Sequence, residues 1–202
     1  MRIAVLALAV VAFATALVSS AAGAGGYQRH AVRSQGVSLE TPASWIAVDA
    51  NLPPATIERM KLDNPKLAPY LGQLSGPTSA AKFLAIDPAL AGGFATNVNV
   101  VVVATPVLQF DQYRKLLAAE IKSVVGSAPV DNRAVTINGA RAVRLSYRLK
   151  VRVGRTFTVQ TLQYAFPRSG RSVVVTYTTT PRFSSRYAAT FARSAGSIRF
   201  AS

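Results

Sequence analysis

Val143-Arg144-Leu145-Ser146-Tyr147-Arg148-Leu149-Lys150-Val151-Arg152 alternates apolar and polar residues through ten consecutive positions. A period of two belongs to a strand. One face of this strand is therefore buried, and its other face carries cations. Gly154 then marks a turn. A loop of Arg152-Val153-Gly154, with glycine in the left-handed region, sets Leu149 opposite Phe157 and Tyr147 opposite Val159. Arg155 to Phe166 and Ser172 to Thr179 make the next hairpin. With Ser169-Gly170 as its turn, Phe166 faces Val173, Tyr164 faces Val175 and Leu162 faces Tyr177. These registers come from matching like faces, and a slip of one residue would send every side chain to the wrong side.

Toward the C-terminus the period lengthens. Pro181 suits the first position of a helix, with Thr180 as its cap. Phe183, Tyr187, Phe191 and Ala195 form an i, i+4 apolar stripe, and Arg182, Arg186 and Arg193 fall on the neighbouring polar side. Toward the N-terminus, Asp111 to Val125 has helical spacing in Tyr113, Leu116, Leu117, Ile121 and Val124, and Gly126 is placed to end it. Asp111 lies in the first turn, where a negative charge favours the helix dipole. Asn97 to Thr105, with its β-branched run Val100 to Val103, reads as a strand buried on both faces. Lys82 to Asp87 is a further strand, and Gly92-Gly93 is a hairpin turn.

Leu52 to Ser75 is helical but interrupted by Pro65. It is expected as two short helices or a cap, with Ile57, Met60 and Leu62 sharing one face. Val37 and Leu39 alternate with polar neighbours in a first strand, and Thr41 to Ser44 is a turn. Trp45, the only tryptophan, starts a second extended segment as a core anchor. Gly25 to Gln35 has no apolar period and is expected to be a flexible tether holding His30, the only histidine, in solvent. The folded domain is then expected over residues 36–202.

The chain opens with an export signal. Met1-Arg2 is followed by an apolar run from Ile3 to Val18, and Ala22-Gly23-Ala24 is a small-x-small cleavage site. The sixteen residues of that run reach ~24 Å, short of a ~30 Å hydrocarbon core, which favours cleavage near Ala24-Gly25 over a retained anchor. Loss of Arg2 with the signal takes the formal net charge from +15 to +14. There is no cysteine, so neither a disulfide nor a thioether lipid contributes, and stability must come from the core. The eight acids all lie between Glu40 and Asp131, and the thirteen Lys and Arg residues beyond Asp131 have no acid among them.

Recognised catalytic chemistry is hard to place on these residues. Nucleophilic catalysis by Ser or Cys needs a base that the one histidine, in the tether, does not supply. No Ser-x-x-Lys and no Walker or dinucleotide glycine loop occurs. Asp49, Glu58 and Asp63 could in principle work as acid and base or hold a cation, but their spacing matches no known loop, and they read as solvated partners of Arg59, Lys61 and Lys66.

The element order is hairpin, short helices, two strands, a long helix, a run of antiparallel strands and a terminal helix. It resembles the PsbP-like (Mog-type) α/β/α domains. The likeness is carried by Gly36-Val37-Ser38-Leu39 leading through Pro42 to Trp45, by Phe110-Asp111-Gln112-Tyr113, and by Asn138-Gly139-Ala140-Arg141-Ala142. It is also carried by the strands Arg155 to Tyr164 and Val173 to Thr179 and by Ser197-Ile198-Arg199-Phe200. The resemblance covers most of residues 36–200 and implies an α+β fold, an antiparallel β-sheet flanked by helices on both faces. Members of that family include exported bacterial envelope proteins, mycobacterial-type lipoproteins and a lumenal photosystem subunit, mostly binding or assembly proteins. This chain lacks the lipoproteins' cysteine, and its single histidine carries no metal ligand across from the photosystem member. Fold likeness alone does not supply function.

The expected function is a non-enzymatic, exported, envelope-associated binding or assembly module, without cofactor, metal site or catalytic residue. The alternative is an electrostatic binder of anionic lipid or wall polymer through a cationic C-terminal surface, with Arg144, Arg148 and Lys150 on one strand face and Arg182, Arg186 and Arg193 on the last helix as the candidate residues. An envelope protein partner is the other candidate. Nucleic acid would be attracted by the same charge, but the export signal removes it as a native partner. A carboxylate hydrolase is the least supported reading.

Overall fold

Among the described residues, antiparallel strands combine with three α-helices. A computed structural model describes residues 26–49, 54–63, 81–153 and 155–201; the expected signal segment, residues 64–75 of the proline-broken stretch and Gly154 lie outside them. In order the elements are β1 (Tyr27–Val32), β2 (Val37–Pro42), β3 (Ile46–Asp49), α1 (Pro54–Asp63), β4 (Ala81–Ile86), β5 (Asn97–Ala104) and α2 (Phe110–Val125). Then come β6 (Asp131–Ile137), β7 (Ala140–Val153), β8 (Arg155–Arg168), β9 (Arg171–Thr179), α3 (Ser184–Gly196) and β10 (Arg199–Phe200). Seven strands form one sheet in the order β3-β4-β5-β9-β8-β7-β6, and β1-β2-β10 form a second. Every pairing is antiparallel. The fold is α+β.

The period-two pattern does the work expected of it. Val143, Leu145, Tyr147, Leu149 and Val151 of β7 pack with Val159 and Ala165 of β8 and with Tyr113, Leu117 and Ile121 of α2. Ala142, Tyr164, Phe166, Val173, Val175 and Tyr177 belong to a second cluster, with Tyr187, Phe191 and Ala195 of α3 and Val32, Val37 and Leu39 of the small sheet. Along β8 and β9 successive residues alternate between the clusters, as Cβ atoms do along a pleated strand. Trp45 is buried in the second cluster, edge-on to Tyr187 with ring centroids 6.3 Å apart. Val102 is only partly buried.

α2 starts where the Gln109 backbone N–H donates to the Gln112 side chain at 3.2 Å, and it ends at Gly126, whose N–H returns to the Lys122 carbonyl. The terminal helix starts later than expected. Pro181–Phe183 forms one turn of 3-10 helix, Thr180 makes no side-chain cap, and the Ser184 hydroxyl donates to the Pro181 carbonyl at 2.8 Å. Its C-terminal end is fixed by Asn138, in the β6–β7 turn at φ 46, whose amide donates to the carbonyls of Gly196 and Ile198 at 2.8 Å each.

Several expectations are corrected. Residues 27–32 are a strand and not a tether: β1 pairs with β2 from Tyr27↔Pro42 to Val32↔Val37, and Val32 is buried. The missing apolar period misled because only Val32 of β1 is buried, and half of its residues are exposed. His30 is not a solvated loop residue. Its Nε2 lies 2.9 Å from Thr41 Oγ1, its ring packs against Phe83 at 5.1 Å, and burial lowers its pKa. β2 and β3 are no hairpin, because the turn after Pro42 carries the chain from the small sheet to the large one.

The β7–β8 register is also tighter than expected. Leu149 faces Val159 and Val151 faces Phe157, a shift of two residues that keeps every side chain on its own face. The β8–β9 register is the one read from the sequence. Leu62 on α1 is exposed and shares no buried face; Ile57 and Met60 side chains lie outside the described residues.

Candidate functional site

α3 does not cover the whole of the sheet beneath it. A groove of about 480 Å³ runs between the helix and β7, β8 and β9. Ser184, Ala188 and Ala192 form its helical wall, one small residue per turn. Leu162, Tyr164 and Phe191 form an apolar floor, and Arg144, Ser146 and Gln160 stand on the strand side. The volume lies in the range of small-molecule pockets. Small side chains on the helix are what keep the groove open, since larger ones would fill it.

The strand wall is an ordered polar network. Arg144 Nη1 lies 2.9 Å from Asp131 Oδ2, and Arg133 Nε lies 2.8 Å from Asp131 Oδ1, so one carboxylate on β6 holds two guanidinia. The hydrogen bond from Arg133, then that from Arg144, and the charge of both hold the Asp131 carboxyl below the usual carboxylate range. Arg148 Nε donates to Gln160 Oε1 at 3.0 Å, and Gln160 Nε2 donates to Ser146 Oγ at 3.1 Å. Thr179 is occupied by Thr96 at 2.8 Å. The Tyr164 hydroxyl forms no hydrogen bond among the described residues. It is therefore open to a partner in the groove, together with the unused donors of Arg144.

The six expected cations do not form one patch. Arg144, Arg148 and Lys150 project from the groove side of β7. Arg148 and Lys150 are exposed, while Arg144 is only partly so and is paired with Asp131. At about 100° per residue, Arg186 and Arg193 lie roughly 180–200° around α3 from Ser184, away from the groove. Arg193 sits over the Tyr27 ring of β1 at 3.8 Å, and Arg182 and Arg186 lie 5.8 and 5.6 Å from the rings of their neighbours Phe183 and Tyr187. All three are exposed, and among the described residues none pairs with a carboxylate. The strand cations and the cations of the terminal segment thus lie on either flank of α3.

Among the described residues no three His, Asp or Glu side chains gather where a metal could bind. Glu58 is exposed on α1, and the side chains of Asp49 and Asp63 lie outside the described residues. Among the described residues no helix is long and apolar enough to cross a membrane.

The arrangement of strands, α2 and α3 matches known structures. Cyanobacterial PsbP (CyanoP) from Synechocystis sp. PCC 6803 aligns over 90% of this chain and 96% of its own, with a TM-score of 0.51 and 15% identity. LpqN of Mycobacterium tuberculosis, involved in cell envelope biogenesis, aligns over 90% of this chain and 88% of its own, with a TM-score of 0.51 and 11% identity. The fold is PsbP-like. No family profile matches the sequence, and no curated protein matches it.

Within this PsbP-like frame, sequence reasoning missed the groove residues other than Arg144. Gln160, Leu162 and Tyr164 alternate along β8, and Ser184, Ala188 and Ala192 recur every four residues along α3. Both periods were visible. What was not visible is that α3 packs over β2 and β9, which leaves these two sets on either side of the groove. Asp131 was read only as the last acid of the chain, and its two arginines lie two and thirteen residues away.

Proposed function

We propose that this chain is a non-enzymatic, extracytoplasmic binding module of the cell envelope, built as an α/β/α sandwich and released from its signal near Ala24-Gly25. Its ligand lies in the groove beside α3 and is held there by the cationic strand wall. The observation that carries this reading is the groove itself: an apolar floor, an open tyrosine hydroxyl and the Arg144 guanidinium, without a paired acid and base on its walls, with Arg148 and Lys150 further along the same face of β7. Three further points support it. The first 24 residues have the layout of an export signal. The fold is shared with LpqN, a protein of envelope biogenesis. The alternation of β8 and β9 residues between two clusters, one with α2 and one with α3, favours helices on opposite faces of the large sheet.

Arg148 and Lys150, exposed and without a carboxylate partner among the described residues, favour an anionic group on the ligand, whether it belongs to lipid, wall polymer or an acidic protein. The test is crosslinked recovery of the mature protein from native envelope at low and high salt. The reading predicts one enriched partner or polymer, lost at high salt and lost again on replacing Arg148 and Lys150 by Glu. Recovery unaffected by both treatments contradicts it.

A further inference from the structure

Four arginines far apart in sequence converge at the end of the small sheet. Two adjoining hollows, of about 390 and 300 Å³, share Gly36, Phe200 and Ala201. Arg33 and Arg199 line the first, and Arg168 and Arg171 line the second. None of these residues borders the groove beside α3.

The topology explains why they meet. β10 pairs with β2 through Arg199↔Ser38 and Phe200↔Val37, and the Ala201 N–H donates to the Gly36 carbonyl at 2.8 Å. That places Arg199 beside the β1–β2 turn, which carries Arg33 and which Gly36 closes at φ 61. Arg168 and Arg171 are register partners flanking the β8–β9 turn. The two turns are linked where Arg171 Nη1 donates to Gln35 Oε1 at 3.2 Å, and Arg168 is stacked over the Phe200 ring at 3.9 Å. Two of the four guanidinia are therefore held in place before any ligand arrives, which lowers the ordering cost of binding.

Nothing acidic balances them. Glu40, the carboxylate on the same small sheet, is bound to Arg29 at 2.7 Å, and among the described residues none of the four arginines has a carboxylate partner. Four guanidinia at one sheet end repel one another, and an anion bridging them removes that repulsion. Ser34 and Ser169 add hydroxyl donors to the second hollow. The geometry points to a second binding site here, for an anion bearing linked phosphate groups, with one phosphate to each pair of arginines. Guanidinium forks match phosphate oxygens in pairs, and the flanking hydroxyls suit the same oxygens.

The test uses the mature chain with tripolyphosphate in solution and, separately, vesicles of cardiolipin, whose two phosphates are linked through glycerol, in phosphatidylcholine, both at low salt. Wild-type protein should bind tripolyphosphate and melt at a higher temperature in its presence. R33Q/R199Q and R168Q/R171Q should each weaken binding by about tenfold or more, the scale of losing charge-assisted hydrogen bonds. R182Q/R186Q, which removes the same charge from the helix, should leave binding unchanged. Vesicle binding lost in the same two variants identifies a lipid headgroup as the phosphate source; tripolyphosphate binding without vesicle binding identifies a soluble or polymeric phosphate. Equal loss in the helix variant would reduce the effect to net charge and overturn the site, as would absence of binding to either probe. Should R168Q/R171Q unfold through loss of the Phe200 contact, R33Q/R199Q decides alone, because among the described residues neither of those side chains makes a hydrogen bond or ion pair.

Discussion

The Tyr187 hydroxyl on α3 donates to Asp87 Oδ2 at 2.6 Å and so ties the helix to the segment that leaves β4. Burial first, and then Asp87, push the Tyr187 pKa up to about 12. Replacing Tyr187 by Phe removes a hydrogen bond to a charged acceptor and should cost about 1.5–3 kcal/mol in denaturant unfolding.

The same shift gives a pH dependence. Burial also raises Tyr113 to about 12. A phenol whose folded pKa lies above its unfolded value of 10.0 favours the folded state fully below pH 10. That contribution is lost as pH rises toward about 12, because the unfolded chain gives up its proton first. Stability should therefore fall across this window, and less steeply in the Tyr187→Phe variant. A variant slope equal to that of the parent would mean that Tyr187 has the same pKa in the folded and unfolded chain.

Phe191 holds α3 to the sheet. It is buried, stacked on Tyr187 at 5.9 Å and tilted against Tyr177 at 5.1 Å. Truncation to Ala should cost about 3–5 kcal/mol. A loss under roughly 1 kcal/mol would contradict the docking of the helix.

β1 should matter to stability. Deleting Tyr27–Val32 removes the strand paired along the whole of β2 and the buried Val32, whose burial alone is worth about 1.5–3 kcal/mol. The shortened protein should unfold at clearly lower denaturant. An unchanged midpoint would return the segment to the status of a tether.

What the sequence made legible follows from how local each signal is. The period-two run in β7 and the Ser169-Gly170 turn are local, and they located the strands and gave the β8–β9 register. The same reasoning misplaced β7 against β8 by two residues, because a shift of two satisfies the same burial pattern and only the turn distinguishes the registers. β1 was lost because only its Val32 is buried and half of its residues are exposed. The two-sheet division escaped because β10 is two residues long and its pairing with β2 spans most of the chain. The candidate site was legible only as charge: Arg144, Arg148 and Lys150 were found from their strand face. Their separation from Arg186 and Arg193 depends on where α3 crosses the sheet, which no local pattern encodes.

Asp131 sets the charge of the groove wall. Its lowered pKa means that its contribution to stability is present above its unfolded value of 3.8 and is lost as pH falls through the lower folded value. Asp131→Asn should free Arg133 and Arg144, strengthen attraction of anions to the groove and steepen its salt dependence, with little change in melting temperature. Weaker anion binding in this variant would show that the carboxylate is needed to hold Arg144 in a binding pose.

The central claim is that the groove side of β7, and not the outer flank of α3, meets the ligand. The direct measurement is binding of an envelope-derived anionic polymer or vesicle, at rising salt, to three forms of the mature protein that all carry R33Q/R199Q to weaken the small-sheet site: that parent, R148E/K150E, and R182E/R186E/R193E. The account predicts binding by the parent that weakens steeply with salt, its loss in R148E/K150E, and its retention in the helix variant despite the larger change in net charge. Loss in the helix variant with retention in R148E/K150E would contradict the account and move the binding surface to the other side of α3.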